Sequence, residues 1–431
     1  MDEQKTIHAA LLGLGTVGSG VYKLAQRRKR EMMDKAGCRL SIDRILVRDA
    51  RRIRDGVDND LLTDRWEDII GDERIEIVIE VMGGIEPART YIEQALRAGK
   101  HVITANKDLM AEQGQALFEL AKAHGCNLML EAAVAGGIPV IQPLRESLAG
   151  NEIDEVMGIV NGTTNYILTR MNNDGMEFEA ALAKATELGY AEADPTADVE
   201  GHDAARKLAI LATMAFHSEV TFEDVFAEGI TRITATDIEY ARAMNRCIKL
   251  LAVAHNTPEG IEAGVYPMLI PSDHPLAAVS DSFNAVFVHG DAVGDVMFYG
   301  RGAGELPTAS AVLGDAIRLM RQIVAGSKDL QDNACYRQLP VKPAGDVCNG
   351  YFLRMKVQDR PGTLAQIASV FGENQVSIHQ VIQQPAKKHI AELVVITDRV
   401  QEKHMHRSLS ALSAMDIVHE ISSVIRVYDK I

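Results

Sequence analysis

Between Gly189 and Lys207 the chain reads GYAEADPTADVEGHDAARK, which gathers Glu192, Asp194, Asp198, Glu200, Asp203 and Lys207 with His202 in one short window. Gly189, Pro195 and Gly201 interrupt any helix in the first half, so those acids sit on a loop. From His202 the run DAARKLAILATMAF has helical spacing: Leu208, Leu211, Ala212 and Ala215 share one side, and Asp203 and Lys207 stand four apart on a single face. A lysine one turn from a carboxylate, at the mouth of an acidic loop, can handle protons. The same pair also reads as an ordinary ion pair on a solvated helix, worth a few tenths of a kcal/mol.

A second group of residues could hold phosphates. Ile7 to Leu14 is a short apolar run, Gly13, Leu14, Gly15, Thr16, Val17 and Gly18 complete GxGxxG, and Val17 to Arg27 has helical spacing. Strand, turn and helix in that order give a tight turn, close backbone approach to a pyrophosphate and a helix N-terminus facing it. The next strand, Ile42 to Val47, ends in Arg48 where an acid would hold a ribose diol, with Arg51 and Arg52 close behind. That favours a 2′-phosphate and hence NADP, although Asp49 next door could still accept from a diol and admit NAD.

Three further strand-like runs end at Gly84, Lys107 and Gly137. The carboxyl ends of parallel strands face the ligand crevice, which predicts Glu80, Asn106, Lys107 and Glu131 near the cofactor. Lys107 also reads as a surface lysine opening the helix from Asp108. Glu131 followed by AAVAGGIP offers a carboxylate and bare carbonyls, oxygen ligands suited to a group 1 or 2 cation; the alternative is a tight glycine turn.

From Ile138 the pattern changes. Pro139 and Pro143 bracket a helix start; a strand, a polar loop at Asn161 to Asn165 and a helix follow, and then the acidic window. Strand-like runs at Cys247 to Ala254, Ile261 to Leu269, Asn284 to Val288 and Gly294 to Tyr299 form a sheet of their own in a substrate domain. GRGAGELPTASAVLGDAIRLM is expected to make a loop and a helix capped near Thr308 that returns to the nucleotide domain. Leu339 to Gly350 reads as a linker. Beyond it Leu353, Met355 and Val357 alternate with Arg354, Lys356 and Gln358 as in a half-buried strand, and the order βαββαβ is ferredoxin-like.

Composition bounds the function. With 431 residues, 47% of them hydrophobic, the chain has material for two or three domains, and a net charge of −15 argues against nucleic-acid binding. Its 5 cysteines never form CxxC, which points to reduced thiols in the cytoplasm and no zinc site. No secretory leader or apolar run of membrane length is evident, so no membrane role is expected.

These residues resemble the homoserine dehydrogenase family of the type with a C-terminal ACT domain. Its signature reads here Ala185, Gly189, Tyr190, Ala191, Asp194, Pro195, Asp198, Val199, Gly201, Asp203 and Lys207, and TANK, EAAVAGGIP, NGTTNYIL, HPLAAV and GAGELPTASAV follow family order. The resemblance implies reversible, nicotinamide-dependent interconversion of L-homoserine and L-aspartate 4-semialdehyde in threonine, methionine and isoleucine biosynthesis. It implies Lys207 as proton donor and acceptor, Lys107 beside nicotinamide and substrate, and Asp203 positioning Lys207. It further implies Glu192, Asp198, Thr163 and Tyr190 as substrate contacts. Sodium would be held by the Glu131 side chain and the carbonyls of Val134, Gly136 and Ile138. An alcohol gives up its hydroxyl proton as hydride leaves, so a base must reach that oxygen. Lysine, with an ordinary pKa of about 10.4, is lowered by burial and a second cation and raised by Asp203, and sequence does not decide between them.

The resemblance also implies an α/β fold: a Rossmann-type parallel-sheet nucleotide domain over residues 1–137, completed by a return helix around 306–335. An α+β catalytic and dimerisation domain over 138–305, a linker over 339–350 and a ferredoxin-like ACT domain over 351–431 complete it. DRPGTL carries the ACT likeness, with Asp359, Gly362 and Thr363 as regulatory residues and L-threonine as the implied feedback inhibitor; the alternative is an ACT domain serving assembly alone. A homodimer or homotetramer, monofunctional because no second catalytic domain fits, is expected. A dehydrogenase for another amino acid and an inert amino-acid sensor are the competing readings.

Overall fold

The structure, a computed structural model, describes residues 5–54, 56–327, 335–384 and 389–428. The chain divides into two units: residues 1–156, 206–223 and 284–339 in the first, and 157–205, 224–283 and 340–431 in the second.

The first unit is built on a six-stranded parallel sheet. Its order is Leu62–Thr63, Arg39–Leu46, Thr6–Leu12, Ile75–Glu80, His101–Thr104, Leu128–Met129, the Rossmann arrangement whose switch point lies beside the first strand. Helices cover both faces, so the strands are apolar throughout rather than alternating. Ile7, Ala9, Leu11, Ile77, Ile79 and Ile103 pack with Val21 of helix Thr16–Arg27 and with Ala309, Val312, Ala316, Leu319 and Met320 of helix Glu305–Ala325. The latter is the expected return helix. It begins at Glu305 behind Gly304, with no side-chain cap, so the capping expected near Thr308 is not made, and residues 328–334 of the expected span lie outside those described. Gly20 permits its approach, since a Cβ there would meet the Glu305 carbonyl at 2.6 Å.

In the second unit a sheet runs in the order Arg246–Thr257, Gly260–Pro271, Val418–Val427, Cys348–Gln358, Ile390–Thr397, Ile378–Gln383. The last four strands with helices Thr363–Glu373 and Glu402–Ser413 give the expected βαββαβ order, around Tyr351, Leu353, Met355, Ile367, Phe371, Leu393 and Leu412. Gly260–Pro271 pairs in parallel with Val418–Val427, Met268 opposite Arg426 and Leu269 opposite Val427.

Three expectations need correction. The strand Cys348–Gln358 starts inside the expected linker, and its expected alternation holds at exposed Lys356 and half-buried Gln358 but fails at Arg354, which is 5% exposed. Helix Ala235–Ala243 covers that face, and Arg354 Nε meets Asp237 Oδ1 at 2.9 Å. The run ending at Gly137 is a strand only over Leu128–Met129, after which the backbone turns into a 3-10 segment at Glu131–Ala133. Asn161 to Asn165 is not a loop but the first turn of helix Gly162–Asp174, capped by Asn161, whose Oδ1 accepts from the Thr164 amide.

Candidate functional site

In the first unit the glycine turn has the shape a dinucleotide requires. Gly13 adopts φ +98°, and a Cβ on Gly18 would lie 2.1 Å from the Gly13 carbonyl oxygen, so neither tolerates a side chain. Gly15 has nothing within 4 Å of its Cβ position and caps helix Thr16–Arg27, whose first turn holds no acid and no side-chain cap. Its free amides and positive dipole end therefore face open space. Leu14 and Val17 anchor the turn against the core. Arg48, Arg51 and Arg52 are exposed beyond the second strand, while Asp49 Oδ1 accepts from the Arg51 amide at 2.9 Å.

Glu80 and Asn106, expected near the cofactor, brace the strand ends. Glu80 is fully buried and accepts from the Met82 amide at 2.8 Å, the Gly83 amide at 3.2 Å and Thr104 Oγ1 at 2.6 Å; burial pushes its pKa up. Asn106 Nδ2 donates to the Gly84 carbonyl at 2.6 Å, and its Oδ1 caps helix Lys107–Ala123 through the Leu109 amide at 3.1 Å. Lys107 is the first residue of that helix. Asp108 beside it forms an ion pair at 3.1 Å with Arg206, the neighbour of Lys207.

The loop after Glu131 is also in this unit. Glu131, 6% exposed, accepts with Oε1 from the Val140 and Ile141 amides at 2.6 and 2.9 Å and with Oε2 from the Gln142 amide at 2.7 Å. One further partner fits on Oε2. Ala135 and Gly136 have φ of 54° and 53°. Val134, Gly136 and Ile138 are buried, and no hydrogen bond among the described residues ends on their carbonyls. Buried carbonyls are rarely left so. No group of three or more His, Cys, Asp or Glu that could hold a metal occurs among the described residues, so an ion here would rest chiefly on backbone oxygens.

The acidic window lies mostly in the second unit. Asp203, 5% exposed, opens helix His202–Phe216 and stands one turn before Lys207. Asn161 Nδ2 donates to Asp203 Oδ2 at 2.8 Å and to Asp198 Oδ1 at 2.7 Å. Thr163 Oγ1 donates to the Tyr190 carbonyl at 2.7 Å, and the Tyr190 ring, 42% exposed, lies 4.9 Å from that of Tyr166. Glu192 is exposed. Asp194 accepts from the hydroxyl and amide of Thr196, which hold its pKa below the ordinary carboxylate value. Asn161 was given no site role from the sequence, although it begins the NGTTNYIL motif; locally it reads as an asparagine ahead of a helix.

In the C-terminal module Gly362 adopts φ +87° immediately before helix Thr363–Glu373, which has no side-chain cap. Thr363 is buried and its hydroxyl has no partner, whereas Asp359 is exposed. All five cysteines are free, and no helix among the described residues is long and apolar enough to cross a membrane.

Comparison with known proteins agrees along the chain. Residues 13–131 match the model described as "Homoserine dehydrogenase, NAD binding domain", residues 139–317 that of "Homoserine dehydrogenase", and residues 351–416 that of the ACT domain. The homoserine dehydrogenase of Corynebacterium glutamicum is 48% identical over 97% of this chain and 95% of its own. The crystal structure of a homoserine dehydrogenase from Thiobacillus denitrificans superposes with a TM-score of 0.93 at 40% identity, over 99% of both chains. A hyperthermophilic archaeal homoserine dehydrogenase in complex with NADPH matches 73% of this chain and 97% of its own, with a TM-score of 0.63 at 26% identity.

Proposed function

This chain belongs to the homoserine dehydrogenase family, an oxidoreductase with a nicotinamide-binding Rossmann domain and an ACT domain, and we propose that it interconverts L-homoserine and L-aspartate 4-semialdehyde with NADP preferred to NAD. The observation that carries the reading is the register of buried Asp203 one turn ahead of Lys207, in a chain that matches its relatives from end to end.

Lys207 takes the hydroxyl proton of homoserine at Nζ and returns it to the carbonyl oxygen in the reverse direction. Asp203, one turn away on the same helix, orients that amine. Lys107 stands beside the reacting carbon. Glu192 and Asp198 hold the substrate ammonium, and Thr163 and Tyr190 shape its pocket. A nicotinamide dinucleotide, its pyrophosphate held by Gly13 to Gly18, would supply the acceptor for the hydrogen and electron pair leaving the carbinol carbon. Exposed Arg48 supports a 2′-phosphate, as does the NADPH bound by the archaeal relative.

The three buried carbonyls of Val134, Gly136 and Ile138, with the remaining capacity of Glu131 Oε2, fit a sodium ion that braces the loop. L-threonine is the feedback effector: Gly362, the uncapped helix and the unpartnered Thr363 hydroxyl suit a small amino acid, with Asp359 at the rim. Exposed Met297 and Tyr299 on the edge strand Gly294–Arg301 support a homodimer or homotetramer, and the five free thiols support a cytoplasmic setting in threonine, methionine and isoleucine biosynthesis. Domain limits of 1–137, 138–305, 339–350 and 351–431 fit this assignment.

The test is absorbance at 340 nm with L-homoserine and NADP or NAD at alkaline pH, with and without L-threonine, in sodium or choline buffer. A homoserine-dependent rise, larger with NADP, suppressed by threonine and weakened in choline, is expected. No rise with either cofactor sinks the reaction; indifference to threonine removes the effector assignment alone. Lys207→Ala is expected to abolish the rise while cofactor binding persists.

A further inference from the structure

We infer that Asn161 is a positioning residue that uses one amide group to fix the substrate-binding carboxylate of Asp198 and the lysine-orienting carboxylate of Asp203 relative to each other; this rests on the roles proposed for those two acids.

The orientation of the amide follows from its surroundings. Oδ1 accepts from the Thr164 amide at 2.9 Å and meets Thr164 Oγ1 at 3.0 Å. That leaves the two hydrogens of Nδ2 for two acceptors, Asp198 Oδ1 at 2.7 Å and Asp203 Oδ2 at 2.8 Å. A flipped amide would set an oxygen against two carboxylates and an NH2 against the Thr164 amide, so one orientation alone is compatible. Asn161 is 5% exposed, as is Asp203, which keeps water from substituting easily for either bond.

Few side chains can replace it. Aspartate would cap the helix but has no hydrogen to give, and would bring a third negative charge beside two others. Serine would cap the helix, yet one hydroxyl hydrogen cannot serve both acids. The cap and the bridge are therefore separable by mutation. The cap steadies helix Gly162–Asp174, whereas the bridge holds both acids at a set spacing. Through Asp198 that spacing acts on the grip on the substrate ammonium; through Asp203 it acts on the orientation of Lys207.

The experiment compares wild type, Asn161→Ser and Asn161→Asp as full chains, measuring melting temperature and the steady-state kinetics of homoserine oxidation with both substrates varied. Asn161→Ser is expected to melt close to wild type, to raise KM for homoserine about tenfold and lower kcat about tenfold, and to leave KM for the cofactor unchanged; charge-assisted hydrogen bonds are of that weight. Asn161→Asp is expected to lose about a hundredfold or more in kcat/KM. The inference is overturned if Asn161→Ser keeps kcat and homoserine KM within about twofold of wild type, or if kcat alone falls with both KM values unmoved, which marks a smaller folded fraction. Should the serine variant fail to fold, Asn161→Asp decides: near-wild-type kinetics overturn the inference, and a rise in homoserine KM with a fall in kcat supports it. A wild-type enzyme inert toward homoserine would instead overturn the reading on which the inference rests.

Discussion

Asp108 and Arg206 are ion-paired at 3.1 Å, so the residue after Lys107 is tied to the residue before Lys207. Both belong to the first unit, and the Arg206 guanidinium also lies 4.3 Å from the centroid of the Phe222 ring. The pair is partly exposed, and such pairs contribute at most about 1 kcal/mol to stability. Its consequence falls on the spacing of two lysines. Asp108→Asn should lower kcat up to about fivefold, the equivalent of about 1 kcal/mol in the barrier, with a melting temperature within about 2 °C of wild type. Raising ionic strength should reproduce part of the loss in wild type and little in the variant. A variant with full turnover would detach the ion pair from catalysis.

Two glycines of the phosphate turn should fail in different ways. Gly15 has φ −77° and open space around its Cβ position, so Gly15→Ala should fold normally and lose cofactor affinity, because the new methyl stands where a pyrophosphate would approach. Gly18→Ala drives a methyl to 2.1 Å from the Gly13 carbonyl and should destabilise the unit by about 1–3 kcal/mol. Calorimetry and cofactor titration on the two proteins separate these outcomes, and equal losses of stability would contradict the reading.

Arg354 is 5% exposed and bonds Asp237 Oδ1 at 2.9 Å, Glu392 Oε2 at 3.1 Å and Thr234 Oγ1 at 3.1 Å. Removing one member of a buried ion pair strands the other, at a cost of about 3–5 kcal/mol. Arg354→Met should therefore destabilise by that amount, and adding Asp237→Asn should restore part of it. Urea unfolding of the single and double variants measures the coupling; additive losses would show that the two side chains do not depend on each other.

Burial, and after it the positive charge of Arg399, lowers the His255 pKa from 6.5 to about 4. Between those values the unfolded chain binds the proton and the folded one does not, so stability is complete above the upper value and lost as pH falls toward the lower. His255→Gln cannot titrate. Its melting temperature should drop less than that of wild type between about pH 7 and about pH 5. Parallel curves would show that the acid limb arises elsewhere.

What could be read from the sequence was what depends on neighbours in the chain. The glycine spacing of Gly13, Gly15 and Gly18 implies a turn because a turn is local, and the four-residue interval from Asp203 to Lys207 implies one helix face for the same reason. Glu80 and Asn106 were expected near the cofactor because strand ends usually face the crevice, but what their side chains would hold could not be read. Their side chains brace Met82, Gly83, Thr104 and Gly84, partners that no periodicity reveals. Arg354 alternates with Leu353 and Met355 like a solvent-facing residue, and its burial is made tolerable by Asp237 and Glu392, both distant in sequence. Asn161 is of the same kind, since its two acceptors come from later segments of the chain.

The parallel pairing of Met268 with Arg426 bears on how the protein is made. A ribosome delivers Gly260–Pro271 long before Val418–Val427, and until the latter emerges the earlier strand's edge at Met268 and Leu269, beyond the stretch that Phe226–Ala227 already covers, is unsatisfied. Nascent chains paused in that interval would be the ones most prone to pair with each other, so slow translation across the C-terminal module is a hazard to yield even when every catalytic residue has already been synthesised.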